Sequence, residues 1–141
     1  MPEHCSLCHL TRGVVAENLY WTMAVNENQA TLGRVFFALK RHETDVTALT
    51  PDEVVSLWQF LAAGKAALGT LFAPDHFNYM ALMNIDPHVH FHLFPRYQTP
   101  REFMGETWTD DQYGGHYDPA QTRPLDDATR EALILSLRSA L

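Results

Sequence analysis

The chain predicts an α+β domain: an antiparallel sheet of about five strands with one long helix packed on it and a C-terminal helix closing the fold. Three observations carry that prediction. The segment Pro87-His88-Val89-His90-Phe91-His92-Leu93-Phe94-Pro95-Arg96 alternates histidine with apolar residues at the period of a strand. Thr50-Pro51-Asp52-Glu53 opens a long apolar-periodic stretch with a capping hydroxyl, a proline at the first helical position and a glutamate at the third. Residues 128–141 place Leu133, Ile134, Leu137 and Leu141 on one side of a helix that Asp126 or Asp127 can cap.

The remaining elements follow in order. Residues 14–26, centred on Leu19-Tyr20-Trp21-Thr22-Met23-Ala24-Val25, are aromatic and β-branched and predict a hairpin or a pair of short strands. Asn26 to Gly33 is a polar loop, and Arg34 to Leu39 is a buried-type strand that delivers Lys40-Arg41-His42 at its exit. In the helix, Val54, Leu57, Trp58, Leu61 and Leu68 form the expected packing stripe, out to about Phe72. A strand over 77–83 should pair antiparallel with the histidine strand across the short link Asn84-Ile85-Asp86-Pro87. Residues 1–97 thus make the main body. Residues 98–141 are an arm, scattered with proline and glycine, and a helix packed on the same single domain.

Composition bounds the function. With 141 residues, 46% of them hydrophobic, the chain can bury a core. A net charge of -7 and the lack of a basic stripe exclude broad binding to nucleic acid or anionic membranes. No uncharged apolar run reaches the length of a bilayer span and the first residues lack a secretory pattern, so a cytoplasmic protein is expected. Cys5 and Cys8 form a single Cys-x-x-Cys, which points to metal or redox chemistry rather than a disulfide framework.

Alternation puts His88, His90 and His92 on one face of a strand and Val89, Phe91 and Leu93 on the other, with alternate residues about 6.6 Å apart. Such a row suits one phosphate-sized group or one metal ion. The run resembles the signature of the histidine triad family of nucleotide hydrolases and transferases, His-φ-His-φ-His-φ-φ with φ apolar, complete here from His88 to Phe94. Leu32-Gly33-Arg34 through His42, the single long helix, Phe77-Asn78-Tyr79 and Pro95-Arg96-Tyr97 extend the likeness over about residues 5–97. Most nucleotide-binding members precede the triad with a glycine-rich loop ending Gly-Gln-Ser or Gly-Gln-Thr. Here Met83 to Pro87 is shorter, and the bacterial subgroup with Asn-x-x-Pro-His is the nearer relative.

The resemblance implies hydrolysis of a nucleoside phosphoramidate or dinucleoside polyphosphate through a nucleotidyl-histidine on His90, the nucleophile. His92 would donate to phosphate oxygens and His88 would orient the group or buffer its charge. A histidine rather than a glutamine at position 92 points to hydrolysis over transfer. Asn26 resembles the family's ribose contact, Arg34 stands where some members place a histidine, and Asn84 and Arg96 would lie near the phosphates. No cofactor is expected for the chemistry. In some bacterial members Cys5, Cys8, His42 and His88 would hold a structural zinc; buried or redox-active thiols are the alternative. A homodimer joined edge to edge is implied as well. Two other functions stay open: a nucleotide-sensing module without turnover, and a metal site built on the three histidines.

Overall fold

The computed structural model describes residues 2–141, and its elements run β1 (Val14–Glu17), β2 (Trp21–Val25), β3 (Val35–Leu39), α1 (Pro51–Phe72), β4 (His76–Met80), β5 (His90–Arg96), β6 (Arg101–Phe103), β7 (Glu106–Trp108) and α2 (Asp127–Ala140). The first five strands form one antiparallel sheet in the order β1-β2-β3-β5-β4. The α+β architecture predicted from the sequence is therefore the one found. The arm departs from irregular structure in one place: β6 and β7 pair as a hairpin, turned by Met104 and Gly105 at φ 53° and 74°.

Helix α1 begins as its sequence requires. The Thr50 hydroxyl accepts from the Glu53 amide, and the Glu53 carboxylate accepts from the Thr50 amide at 2.8 Å. Its inner side buries Leu57, Phe60, Leu61, Gly64, Ala67, Leu68 and Phe72 against the sheet. Gly64 is required there, since a Cβ would stand 2.9 Å from the Phe37 ring. Two residues of the expected stripe belong elsewhere: Val54 and Trp58 are 43% and 70% exposed. The helix is apolar on both sides, so periodicity alone merged its packed and outer faces. By length and composition it could cross a membrane, but its inner side packs on β2 and β5.

The helix stops at Ala73, held left-handed at φ 45°. Arg101 of the arm donates to the carbonyls of Phe72 and Ala73, each at 2.7 Å, and so satisfies two groups that the last turn leaves without partners. Asp126 caps α2, whose Leu133, Ile134 and Leu137 are buried where it packs against α1 and β1. Arg138 of α2 also donates to the carbonyls of Val14 and Val15, covering that edge of the sheet. β4 ends at Met80 rather than 83, because Met83 at φ 50° turns the chain out of the sheet.

Candidate active site and metal centre

The site lies on the sheet face opposite α1. Alternation along β3 sends Phe37 to the helix side, where it meets Phe60 at 5.1 Å, and Phe36 to the other side, beside the rings of His90 and His92. Phe36 is thus a wall of the site, although it belongs to a strand that reads as buried. His90, His92, Phe36, Asn26 and Asp86, with Ser6, Leu7 and Leu10 of the N-terminal loop, line an open cleft of about 250 Å³.

Hydrogen bonds assign the tautomers of the two strand histidines. His90 Nδ1 lies 2.7 Å from the His88 carbonyl. A carbonyl only accepts, so Nδ1 carries the proton and Nε2 keeps the lone pair. His92 Nδ1 lies 3.4 Å from the guanidinium of Arg34. A guanidinium only donates, so here Nδ1 is the acceptor and Nε2 carries the proton. Burial, then the charges of Arg34 and His90, push the His92 pKa down to about 3. It stays neutral at physiological pH, a fixed donor beside the His90 ring.

His88 departs from the expected row. It precedes β5, where Val89 bonds to Glu43 and Leu39 off the ladder, and its fully buried ring turns away from its neighbours. Its Nε2 donates to the Leu39 carbonyl at 2.6 Å, which leaves the Nδ1 lone pair facing Cys5, Cys8 and His42. Burial lowers the His88 pKa and favours the neutral ligand form. Nδ1 stands 3.3 Å from Cys5 Sγ, 3.5 Å from Cys8 Sγ and 3.3 Å from His42 Nδ1, and Cys8 Sγ is 3.3 Å from His42 Nδ1. Zinc bonds of about 2.0–2.3 Å imply tetrahedral edges of roughly 3.3–3.8 Å. The four donors therefore fit zinc in number, chemistry and spacing. Burial and Cys5 raise the pKa of the Cys8 thiol, whose ionisation a cation would offset.

The other predicted residues divide. Asn26 lies in the cleft, its side-chain oxygen bonded to the Asn28 amide. Arg34 sits behind His92, over the rings of Phe94 at 4.5 Å and Tyr117 at 5.1 Å, and outside the cleft wall. Burial lowers its pKa, while Tyr117 opposes the shift. Asn84 is exposed and outside the cleft, and Asp86, bonded to Ser6 at 2.9 Å, takes the place by the triad. Arg96 shares the face of His90 but sits at the far end of β5, buried in an ion pair with Asp110. It is a tie to the arm and cannot reach a phosphate beside His90.

Two further residues escaped the sequence reading. Buried Gln29 ties Asn26, Gly33 and Arg34 together through both ends of its amide. Tyr117 reaches Arg34 from the arm at 2.8 Å. A buried amide in a polar loop and a contact across 83 residues leave no local pattern.

No family model matches the sequence, and no curated protein matches it at a significant level. Solved structures do. A histidine triad protein from Marinobacter aquaeolei VT8 superposes with a TM-score of 0.75 at 18% identity, over 91% of this chain and 87% of that one. A hypothetical histidine triad nucleotide-binding protein from Sulfolobus tokodaii gives 0.72 at 15% identity, over 96% and 91%. The chain has the histidine triad fold. A zinc-bound histidine triad family protein from Mycobacterium smegmatis shares it at 0.66 and 18% identity, over 97% and 92%. Within that fold, the order β1-β2-β3-β5-β4 places the histidine strand between β3 and β4, with the cleft on its outer face.

Proposed function

We propose that this protein hydrolyses a nucleoside phosphoramidate or dinucleoside polyphosphate through a covalent intermediate on His90. The observation that supports this most is the pair of ring contacts, His90 Nδ1 on the His88 carbonyl and His92 Nδ1 on the Arg34 guanidinium, which favour a lone pair on His90 Nε2 and a proton on His92 Nε2. His90 Nε2 attacks the α-phosphorus, an N–P bond forms, and the amine or nucleoside polyphosphate leaves with the bonding pair and takes up a proton from solvent, which the water of the second step returns. The His88 carbonyl holds the Nδ1 proton throughout and stabilises positive charge on the ring. His92 donates to a non-bridging oxygen as charge builds there. Water then attacks phosphorus, and the N–P electrons return to Nε2. Asn26 meets the ribose hydroxyls at the rim, and Leu7, Leu10 and Phe36 supply apolar walls.

The test is release of AMP from adenosine phosphoramidate and from diadenosine tetraphosphate. His90→Ala should abolish release while AMP binding, followed by calorimetry, persists. Equal inertness of wild type and His90→Ala with binding retained would leave a sensing module, a reading that the short pre-triad loop and outlying Asn84 favour. A metal on the three triad histidines is disfavoured by the His88 ring, which faces away from the other two.

Cys5, Cys8, His42 and His88 hold a structural zinc in this reading, supported by their spacing. An ion held there would cross-link the N-terminal loop to the exit of β3 and the segment just before β5, and no chemical step passes through it. The protein pairs as a homodimer through β4. This edge strand's outer side has no partner among the described residues, and beside it the exposed Trp58 and Tyr79 line one apolar cavity with Leu61, Ala62 and Phe91. Neither nucleic acid nor membrane enters this function, which is placed in the cytoplasm.

A further inference from the structure

Behind His92 the structure holds an unusual cation. Arg34 is largely buried, no carboxylate lies within 4.0 Å of it among the described residues, and its Nε has no hydrogen-bond partner. A buried charge without a counter-ion is costly, and this one is kept by two aromatic faces and two polar contacts. One contact is His92 Nδ1 at 3.4 Å, and the other is the Tyr117 hydroxyl, which accepts from the guanidinium at 2.8 Å and from Asn28 at 3.3 Å. The Tyr117 ring also packs on Phe94 at 4.4 Å, which holds its hydroxyl against Arg34. Neither Arg34 nor Tyr117 lines the cleft, whereas His92 does.

We propose that Arg34, clamped by Tyr117, is a positioning residue that forces His92 into the Nε2–H tautomer and so aims its one proton at the phosphate. The idea rests on the hydrolase reading. A neutral imidazole left alone can carry its proton on either nitrogen, and only one choice offers a donor to the cleft. Arg34 can only donate and therefore selects the nitrogen that must accept. Its charge reaches the phosphate through the imidazole rather than by contact. The arm from residue 98 onward is then part of the catalytic apparatus of its own chain, with Tyr117 as its point of action.

Long-range proton–nitrogen NMR of the ¹⁵N-labelled, metal-loaded protein at pH 7 reads the His92 ring directly. Wild type should show Nδ1 bare and Nε2 protonated. Arg34→Met should give a mixture of tautomers and lower kcat for adenosine phosphoramidate about tenfold with KM within about twofold, while Arg34→Lys recovers most of both. Tyr117→Phe, which keeps the ring and loses only the hydroxyl, should cost about threefold and decides the matter if Arg34→Met fails to fold. A proton on His92 Nδ1 in wild type would overturn the proposal, as would an unchanged tautomer and kcat in folded Arg34→Met. An inert wild type would remove the hydrolase reading alone, since the tautomer is measured without turnover.

Discussion

Arg96 and Asp110 form a forked ion pair, Nε to Oδ2 at 2.7 Å and a terminal nitrogen to Oδ1 at 3.2 Å, with both side chains almost wholly buried. The guanidinium spends its other donors on Asn78 and the Gly115 carbonyl. Arg96→Met would leave Asp110 charged and unpaired in the interior, at a cost of about 3–5 kcal/mol. Urea unfolding should show that loss, and AMP affinity at temperatures where the variant stays folded should be unchanged. A large rise in Kd without a loss of stability would restore Arg96 to the phosphate site.

The zinc reading makes a stoichiometric claim. Purified protein should carry one zinc per chain by elemental analysis, and Cys5→Ser or His42→Ala should carry little. At free zinc about a hundredfold above Kd the ion stabilises the fold by about 2.7 kcal/mol. For a chain of this size that is a Tm drop of roughly 10 °C on chelation. A Tm unmoved by chelator, with thiols that oxidise to a disulfide, would favour the redox alternative.

The proposed pairing through β4 predicts a solution mass. Wild type should run in light scattering at twice the 16.1 kDa of one chain. Trp58→Glu paired with Tyr79→Glu should return it to the mass of one chain, because each change places a charge in the middle of the surface to be buried. A wild type that is already monomeric at tens of micromolar would end the edge-to-edge arrangement.

His92 makes stability depend on pH. Its folded pKa of about 3 lies below the ordinary 6.5, so between these values the unfolded chain binds a proton that the folded chain refuses. Stability therefore falls as pH drops through that window, by about 2 kcal/mol from this residue between pH 7 and pH 5. His92→Gln should be less pH-sensitive than wild type by that amount in denaturant titrations at the two pH values. Equal slopes would mean that the folded imidazole protonates freely.

Where one rule governed a segment, the sequence was legible. Period-two alternation located β5, the capping box located the start of α1, and the Asp126 cap located α2. The rule failed at His88 because alternation presumes a backbone that stays in the ladder, and Pro87 and the Val89 bonds to Glu43 and Leu39 hold it outside. It failed at Val54 and Trp58 because a helix apolar on both sides has no unique inner stripe. The turn of β6–β7 was hidden because Met104, not glycine or asparagine, adopts its first positive φ. The roles of Arg34 and Arg96 are decided by Tyr117 and Asp110, and pairings of that range carry no mark in the local chain. The triad itself was visible, while the turning of the His88 ring away from His90 and His92 was not.

The left-handed stop of α1 carries a lesson for anyone trimming this protein. Arg101, which seals the Phe72 and Ala73 carbonyls, lies beyond Tyr97, as do Asp110 and Trp108, whose indole donates to Gln29 at 2.8 Å. Excision of everything after Tyr97 would leave a frayed helix end, an orphaned guanidinium and a slackened loop at Gln29 in the same fragment. A triad module truncated after Tyr97 should therefore emerge from expression insoluble or molten.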